Sequence, residues 1–303
     1  MSFQINNSNS KAYLFLTLAA LFWSGNFIVG KAASFYEIPP FSLNFYRWLF
    51  AFLILFPFTF KEVFSNKDYI FQNLGLFFLL GITSITIFNS IVYYSLYYTQ
   101  VISGILMIST IPVWILFFAS VLKIEKTNIF QISGVILSLT GVLFIITKAD
   151  INLIKELEFN KGDLSMVIGM LSWAIYSALL RKKNHPISQL ATLEIIIICG
   201  FIFLTPIYFI EMSLGNKIVL ELPFILTLSY VVLFPGIFAF LFWIKGIDII
   251  GANRAGVFLH LMTIFGALMA IIILGEKFMF YHFLGAIFII AGITLSNKVK
   301  KNA

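Results

Sequence analysis

The sequence predicts an all-α integral membrane protein of ten transmembrane helices, arranged as two inverted repeats of five helices each. Three observations predict this class. Of the 303 residues, 60% are hydrophobic and 11% are charged, with a mean hydropathy of +1.00, whereas roughly a quarter of the residues in a soluble domain are charged. Apolar runs of about 18–25 residues recur along the chain, and the chain contains the same pattern twice.

The apolar runs define the spans. A helix needs about 20 apolar residues to cross the hydrocarbon of a bilayer, and these runs are continuously apolar, which favours helices over barrel strands. The predicted spans are 12–33, 41–60, 74–98, 101–122, 128–147, 163–180, 189–211, 223–247, 252–274 and 279–297. The connections at 99–100 and 250–251 are so short that the third and fourth helices of each repeat should form a tight hairpin.

The repeat itself is visible in residues 101–147 and 252–297. Self-similarity at a fixed period describes a whole architecture, and in a membrane chain a tandem repeat is typical of secondary transporters. Because five crossings is an odd number, the second repeat must enter the membrane from the opposite side. The equivalent pairs include Glu125 and Glu276, Gly134 and Gly285, and Gly141 and Gly292 at a shift of 151, and Trp23 and Trp173 at a shift of 150.

The repeat divides the chain into five segments. These are a cytoplasmic tail at 1–11, the first repeat at 12–147, a linker at 148–162, the second repeat at 163–297 and a basic cytoplasmic tail at 298–303. With the N-terminus inside, thirteen Lys and Arg residues flank the inner side of the spans and six flank the outer side, and such an excess marks the cytoplasmic side. We therefore expect a multi-pass protein of the bacterial cytoplasmic membrane with both termini in the cytoplasm.

Charge and composition argue against several classes of function. The net charge of +7 is dispersed among short loops, so we expect no nucleic-acid partner. A single cysteine, Cys199, allows no intrachain disulfide, and no His, Cys, Asp or Glu spacing suits a metal. The run Gly25–Lys31 is followed by Ala32 where a phosphate-binding loop needs Ser or Thr. We therefore expect no cofactor, no metal and no enzymatic activity.

Several short motifs occur in order along the chain: FWSGNF at 22–27, FYRWLFA at 45–51, IEK at 124–126, NRAG at 253–256 and GEK at 275–277. Together they resemble the EamA family of the drug/metabolite transporter superfamily. The resemblance implies a ten-helix secondary transporter with inverted five-helix repeats and a central pathway. The family usually has a proline in spans four and nine. Pro112 keeps it, but Thr263 replaces it in the second repeat, so we expect the two gating kinks to differ.

The function predicted from the repeat and the resemblance is secondary transport. The substrate would be a small metabolite, such as an amino acid or a related polar or amphipathic solute, moved by alternating access through a central cavity. The alternative is proton-coupled efflux of drugs or cationic amphiphiles. More distant alternatives are a non-transporting membrane scaffold and a membrane enzyme. The expected partners are a small-molecule substrate, the lipid bilayer and, as a candidate coupling ion, the proton.

Arg47 is the residue that stands out most inside a span. It lies about two turns into the second span, where an arginine is costly unless it faces protein or water. We predict that it binds an anionic group or gates the pathway, as the resemblance to the family also implies. The alternatives are that it extends to the outer headgroups or bonds a backbone carbonyl.

Two titratable residues inside the spans are candidates for proton coupling. His260 lies in the middle of the ninth span, and histidine normally titrates near neutral pH. The alternative is a hydrogen-bonded packing histidine. Glu194 lies about one turn into the seventh span, and its alternative role is an ion pair with the basic cluster Arg181–Lys183.

The remaining candidates fall into two groups. Glu125 and Glu276 stand at equivalent helix ends and should fix the loop geometry there, and the glycines of spans five and ten should let those helices approach closely. The other candidate residues of the substrate pathway are polar or aromatic side chains within the spans, namely Trp23, Asn26, Asn89, Tyr93, Ser109, Trp114, Trp173 and Tyr176.

Overall fold

The computed structural model describes residues 7–150, 160–181, 186–216, 218–274 and 277–298. Regular structure in these ranges is entirely helical. Nine helices in them are long and apolar enough to cross a membrane, and a tenth apolar helix, Phe280–Ser296, has 17 residues, which is near the lower limit of about 17 for a span. The predicted ten-helix class is therefore confirmed, and we number the spans α1 to α10.

The first repeat contains α1 (Asn7–Phe35), α2 (Pro40–Ser65), α3 (Leu74–Tyr98), α4 (in two pieces, Val101–Ile108 and Ile111–Val121) and α5 (Ile129–Ile146). The second contains α6 (Lys161–Arg181), α7 (Gln189–Ser213), α8 (Leu222–Ile250), α9 (Ala252–Ile272) and α10 (Phe280–Ser296). A short helix, Lys67–Gln72, joins α2 to α3.

Local signals set several of the helix ends. Asn128 and Gln131 form a capping box at the start of α5, in which each side chain bonds the backbone N–H of the other. Ser188 caps α7 by accepting a hydrogen bond from Ala191 N. Gly251 ends α8 with a φ of +88°, a conformation that glycine adopts without steric cost, and α9 follows at once. The two predicted tight hairpins, α3–α4 and α8–α9, are both present.

The contact between α5 and α10 shows that the repeats are inverted. A Cβ at Gly134 would lie 2.6 Å from the Gly292 carbonyl oxygen, and one at Gly141 would lie 2.5 Å from the Gly285 carbonyl oxygen. The two backbones therefore touch, as predicted from the glycines. Position 134 meets position 292 and position 141 meets position 285, so the two helices run antiparallel. Since Gly134 is equivalent to Gly285, equivalent helices cross the membrane in opposite directions.

The other helix contacts also occur in equivalent pairs, one for each repeat. α2 packs against its own equivalent, α7, as α5 does against α10. The contact of α1 with α8 is matched by that of α6 with α3, and the contact of α1 with α9 is matched by that of α6 with α4. The two repeats are thus related by a pseudo-twofold axis, and their shared core lies where α1, α3, α6 and α8 meet.

Both α3 and α8 contain a π-helical stretch at equivalent positions, Ile82–Phe88 and Val232–Phe238. The second contains Pro235, which cannot donate to the helical ladder. In the first, the hydroxyls of Thr83 and Ser84 donate to carbonyls of the preceding turn at 2.6 Å, and such bonds distort helices. Because π-helical turns are frequent at functional sites, these two stretches indicate a candidate site at the centre of the molecule, where α3 and α8 meet α1 and α6.

The helices α4 and α9 are both irregular at the same level. α4 is interrupted at Ser109–Thr110, just before Pro112, and α9 contains a 3₁₀ turn at Val257–His260. Loss of the proline at Thr263 therefore does not leave α9 regular. The two kinks differ in form, because α4 breaks into two helices while α9 tightens into one 3₁₀ turn.

Candidate functional site

Arg47 lies in a buried polar network at the centre of the molecule. Its side chain is fully buried, and its Nη1 donates hydrogen bonds to Asn89 Oδ1 at 2.8 Å and to the Tyr93 hydroxyl at 2.7 Å. That hydroxyl donates to Asn26 Oδ1 at 2.9 Å. The network brings together four predicted pathway residues from α1, α2 and α3. The partners of Arg47 in the described part of the chain are thus side chains, not headgroups or a backbone carbonyl.

The guanidinium of Arg47 keeps two unpaired nitrogens. Within the described residues, Nε and Nη2 have no hydrogen-bond partner, although an arginine carries five N–H donors. The guanidinium lies 4.9 Å from the centroid of the Trp48 ring. A Cβ at Gly236 of α8 would lie 3.4 Å from Nε, so the glycine lets the α8 backbone approach. Unpaired guanidinium donors suit a carboxylate or phosphate group.

An aromatic cluster adjoins this network on the side of the second repeat. Trp23 meets its equivalent, Trp173, edge to face at 5.1 Å, and it also meets Trp243 at 5.4 Å. Phe240 lies 5.3 Å from Trp173, and Tyr176 lies 4.9 Å from it. Three of the predicted pathway residues, Trp23, Trp173 and Tyr176, therefore lie together where the two repeats meet.

The two π-helical stretches supply backbone acceptors to this centre. The Ser84 carbonyl accepts a hydrogen bond from Asn89 Nδ2 at 2.7 Å, and the Pro235 carbonyl accepts one from Trp23 Nε1 at 3.1 Å. The irregular backbone thus orients two of the candidate side chains. Two neighbouring carbonyls are also bonded by side chains, Thr83 O by Ser172 and Ile85 O by Asn44.

A small cavity is lined by residues of both the polar network and the aromatic cluster. Its volume is about 20 Å³, and its lining includes Asn26 and Asn89 together with Trp23 and Trp173. About 10–15 Å³ is needed to hold one water molecule. The space between these residues therefore admits no molecule larger than water in this conformation.

A larger cavity of about 480 Å³ lies between α1, α4, α5, α9 and α10. It is on the side of the membrane that carries the linker 148–162, which we call the linker face; the opposite side is the termini face. Ser24, one of its lining residues on α1, directly follows Trp23 of the aromatic cluster in the sequence. Its polar lining residues are Ser24, Lys31, Gln100, Lys148, Thr263 and His282.

Sequence reasoning missed the two lysines of this cavity. Lys31 donates to the carbonyls of Leu96 and Thr99 at 2.8 and 3.0 Å, which leaves one of its three N–H groups for another acceptor. Lys148 lines the same cavity at the end of α5. A signal was available, since both belong to the small set of basic residues on the face that is otherwise poor in positive charge.

The termini face is closed by contacts of Glu125 and Arg181. The Glu125 carboxylate accepts hydrogen bonds from Ala252 N at 2.9 Å and Asn253 N at 3.1 Å, so it caps the start of α9. Arg181 Nε lies 3.4 Å from Glu125 Oε1, and Arg181 Nη1 donates to the Asp248 carbonyl at 2.8 Å. These contacts tie the ends of α4, α6, α8 and α9 together. Glu276, the equivalent of Glu125, lies outside the described residues.

His260 joins α9 to α4 and α5. Its Nε2 lies 2.9 Å from the Ser109 carbonyl and its Nδ1 lies 2.6 Å from Ser138 Oγ. Because a carbonyl only accepts, Nε2 carries a proton and a neutral ring accepts at Nδ1 from the serine hydroxyl. His260 is fully buried and lines neither cavity. Ser109 meets it through its backbone, while the Ser109 hydroxyl bonds its own helix at Ile105 O.

Two candidate residues lie apart from this centre. Trp114 is half-buried and meets Phe117 of its own helix at 6.1 Å, and it lines neither cavity. Glu194 is buried in an apolar cleft between α2 and α7. Its expected partner Arg181 pairs with Glu125 instead, and Lys182 and Lys183 lie outside the described residues.

Comparison with known proteins gives a consistent result. Residues 10–147 and 160–298 both match the EamA-like transporter family. An uncharacterized transporter of Archaeoglobus fulgidus is 27% identical over 95% of this chain and 98% of its own length, and the uncharacterized transporter YyaM of Bacillus subtilis is 24% identical over 95% of this chain and 93% of its own. One crystal structure superposes with a TM-score of 0.72 at 14% identity, covering 94% of this chain and 96% of that one, which shows a shared fold.

Proposed function

The chain belongs to the EamA-like transporter family, and from this premise we propose that it is a secondary transporter of a small amphipathic metabolite that carries a carboxylate, such as an amino acid. The solute would move by alternating access between the two repeats, entering or leaving through the cavity on the linker face. One observation carries the proposal: the buried centre holds an arginine with two unpaired nitrogens, and a separate cavity lies toward the linker face.

The arrangement of open and closed regions supports alternating access. The linker-face cavity of about 480 Å³ lies within the range of about 300–1,000 Å³ typical of small-molecule sites. The termini face is tied by Glu125 and Arg181, and the centre admits about one water. Motion of one repeat against the other would open the centre to one face while closing the other, as in other inverted-repeat transporters.

Charge supports the class of substrate. Lys31 and Lys148 line the linker-face cavity, and Arg47 lies at the centre with Nε and Nη2 unpaired. The rest of the cavity is largely aliphatic and small, including Ile28, Ile105 and Ala267. A solute with a carboxylate and an apolar part would satisfy both. Two ammonium groups in the cavity disfavour efflux of cationic amphiphiles through this route.

The proposed coupling ion is the proton, with His260 as its candidate carrier and Glu194 as the second candidate. Uphill movement without nucleotide hydrolysis needs an ion gradient, and His260 bonds both the interrupted part of α4 and the middle of α5. Protonation would turn Nδ1 from an acceptor into a donor, so the Ser138 hydroxyl would have to rotate. A change of charge at this joint would thereby reach both α4 and α9.

Solute counterflow in proteoliposomes tests the proposal. Vesicles loaded with an unlabelled pool of anionic, zwitterionic or cationic metabolites are diluted into the labelled counterpart, with protein-free vesicles as the control. We expect protein-dependent exchange of carboxylate-bearing solutes. Exchange of cations alone would contradict the proposed substrate class, and absence of exchange for every pool would favour a scaffold or an enzyme.

A further inference from the structure

Glu194, a buried glutamate whose carboxylate has no partner in the described part of the chain, lies at the cleft between α2 and α7. Glu194 is 1% exposed, and neither of its carboxylate oxygens has a hydrogen-bond partner within the described residues. A buried ionisable group without a partner is costly in a membrane, and such a residue usually marks a functional site. The cleft has a volume of about 360 Å³ and is otherwise lined by Phe52, Phe56, Thr59, Phe60, Val63, Phe64 and Ile198.

Other buried acids of the described chain are satisfied, which sets Glu194 apart. Glu211, near the far end of the same helix, accepts hydrogen bonds from Phe41 N at 3.2 Å and from Ser42 N and Oγ at 2.6 and 2.7 Å. Asp163 accepts from Thr99 Oγ1 at 2.5 Å and from Asn160 N at 3.0 Å. The fold therefore provides donors for acids that have a structural role, and it provides none for Glu194.

The wall opposite Glu194 is a continuous row of aromatic rings. Phe52, Phe56, Phe60 and Phe64 follow one another at every fourth residue of α2, with centroids 5.3, 5.4 and 4.7 Å apart. The one polar group among them, the Thr59 hydroxyl, is bonded to the Leu55 carbonyl of its own helix. The row faces lipid on its outer side, where Phe64 is 61% exposed, so a molecule dissolved in the bilayer can reach the cleft.

We propose that this cleft binds a monocationic amphiphile from the bilayer, with its ammonium group against Glu194 and its apolar body along the phenylalanine row. The carboxylate supplies the opposite charge, and ring faces attract cations. Glu194 is the sixth residue of α7, about 7–8 Å from the helix start at 1.5 Å per residue. That depth suits an ammonium near the headgroup boundary with its chain directed into the hydrocarbon.

The lining of the cleft favours one positive charge over a zwitterionic headgroup. A lipid such as phosphatidylethanolamine carries a phosphate beside its ammonium, and a buried phosphate needs a basic partner. The residues that line the cleft include no lysine, arginine or histidine. The site is separate from the linker-face cavity, and labelling reports its occupancy whether or not the protein transports the proposed solute.

Photoaffinity labelling tests this site. The full-length protein in phosphatidylcholine nanodiscs is irradiated with a dodecyl-ammonium probe that carries a diazirine on its chain, or with the dodecanol analogue as the neutral match. Labelled residues are mapped by mass spectrometry. We expect the ammonium probe to label α2 and α7 beside the cleft about tenfold more than the alcohol, the equivalent of about 1.4 kcal/mol.

Two variants locate the interaction. Glu194→Gln should reduce ammonium labelling to the level of the alcohol, whereas Glu37→Gln, an equal change of charge at an exposed position, should leave it unchanged. Ile198→Trp keeps the carboxylate but fills the cleft, so it should reduce labelling by both probes. It also tests the site independently if Glu194→Gln alters folding, which the melting temperature in nanodiscs reports.

Three results would overturn the proposal. Equal labelling by the ammonium and alcohol probes would show that the carboxylate attracts no cation. Unchanged labelling in Glu194→Gln and Ile198→Trp would place the probe elsewhere. Loss of labelling when phosphatidylethanolamine replaces phosphatidylcholine would assign the cleft to a zwitterionic lipid headgroup.

Discussion

At the centre of the molecule, the first repeat places Arg47, Asn89 and Tyr93, whereas the second repeat places Ile197, Ala239 and Trp243 at the positions 150 residues later. All six side chains are buried. By contrast, each half contains one π-helical stretch and one irregular helix, α4 in the first repeat and α9 in the second. The backbone therefore keeps the symmetry of the duplication, and the chemistry of the centre does not.

This difference suggests that the irregular backbone serves the conformational change, whereas the side chains of the centre serve substrate binding. Inverted repeats can exchange conformations only if both halves can adopt both shapes, so irregular backbone has to occur twice. A solute with one charged end and one apolar end has no such symmetry. A polar network on one side of the centre and an aromatic cluster on the other would bind it in a single orientation.

The largest effect should follow from substitution of Arg47. Arg47→Gln removes the charge opposite the substrate, so we expect flux in proteoliposomes to fall by about 100-fold or more, within the range for loss of one partner of a buried charge pair. Stability should fall much less than flux: the variant loses the two hydrogen bonds of Nη1, but Nε and Nη2 already lack partners and a buried charge is removed. Arg47→Lys keeps a charge without the planar donors and should be intermediate. Unchanged flux, or a variant that unfolds, would contradict the assigned role.

The equivalent position of the second repeat should behave in the opposite way. Ile197→Ala leaves a cavity where the side chain was fully buried, so the free energy of unfolding should fall by about 2–4 kcal/mol. Flux per folded molecule should be retained. Ile198→Ala, one residue on and 37% exposed, is the control and should cost less. If Ile197→Ala abolished flux without loss of stability, the two halves would not divide binding and packing as we infer.

One contact of the termini face has an equivalent in the first repeat, and a smaller effect is expected from Glu125. Lys31 and Arg181 are equivalent, and each bonds carbonyls at the end of the neighbouring α3 or α8. Glu125→Gln removes the ion pair with Arg181 and weakens the cap on α9, together about 1 kcal/mol. We expect the linker-face cavity to be open less often.

Cysteine accessibility measures this shift. In a Cys199→Ser background, Ala32→Cys places a thiol in the linker-face cavity, where an impermeant maleimide can reach it. Its labelling rate should fall about three- to fivefold when Glu125→Gln is added. Glu37→Gln serves as the charge-matched control. A rate that does not respond to Glu125→Gln would separate the ion pair from gating.

The smallest effect concerns the joint between the two irregular helices. If His260 carries the coupling proton, flux of the wild type should depend on pH, and His260→Gln should flatten that profile. Ser138→Ala keeps the imidazole but removes the partner of Nδ1, so its profile should shift without flattening. Identical pH profiles for wild type and His260→Gln would exclude His260 as the coupling residue, and they would favour Glu194 in that role or exchange without a coupling ion.

Most of the fold could be predicted because it depends on properties that are local in the sequence. Apolar runs, the duplication and the glycines of α5 and α10 each indicate a feature without knowledge of distant contacts. Arg47 was identifiable for the same reason, since a charge inside an apolar run is visible by itself. The π-helical stretch of α3 was not, because Ile82–Phe88 has no proline and its distortion depends on hydroxyls that bond within the helix.

The contacts of charged side chains were harder to predict from the sequence than their places along the helices. Arg181 is close to Glu194 in sequence but pairs with Glu125, because the ends of α4 and α6 meet at the termini face. The isolation of Glu194 is likewise a property of its surroundings, the phenylalanine row of α2, and not of its own helix. In the sequence, Lys31 and Lys148 only count among the six basic residues of the outer side, whereas the helix arrangement places them in one cavity.

The backbone contact of α5 with α10 has a consequence for how the protein is made. Each helix presents a strip of bare backbone that only the other can cover, since a Cβ on either glycine pair would collide with the partner. α10 follows α5 by about 150 residues, so α5 enters the membrane long before its partner is synthesised. The contact that joins the two halves through these glycines can therefore form only after the tenth span has been synthesised.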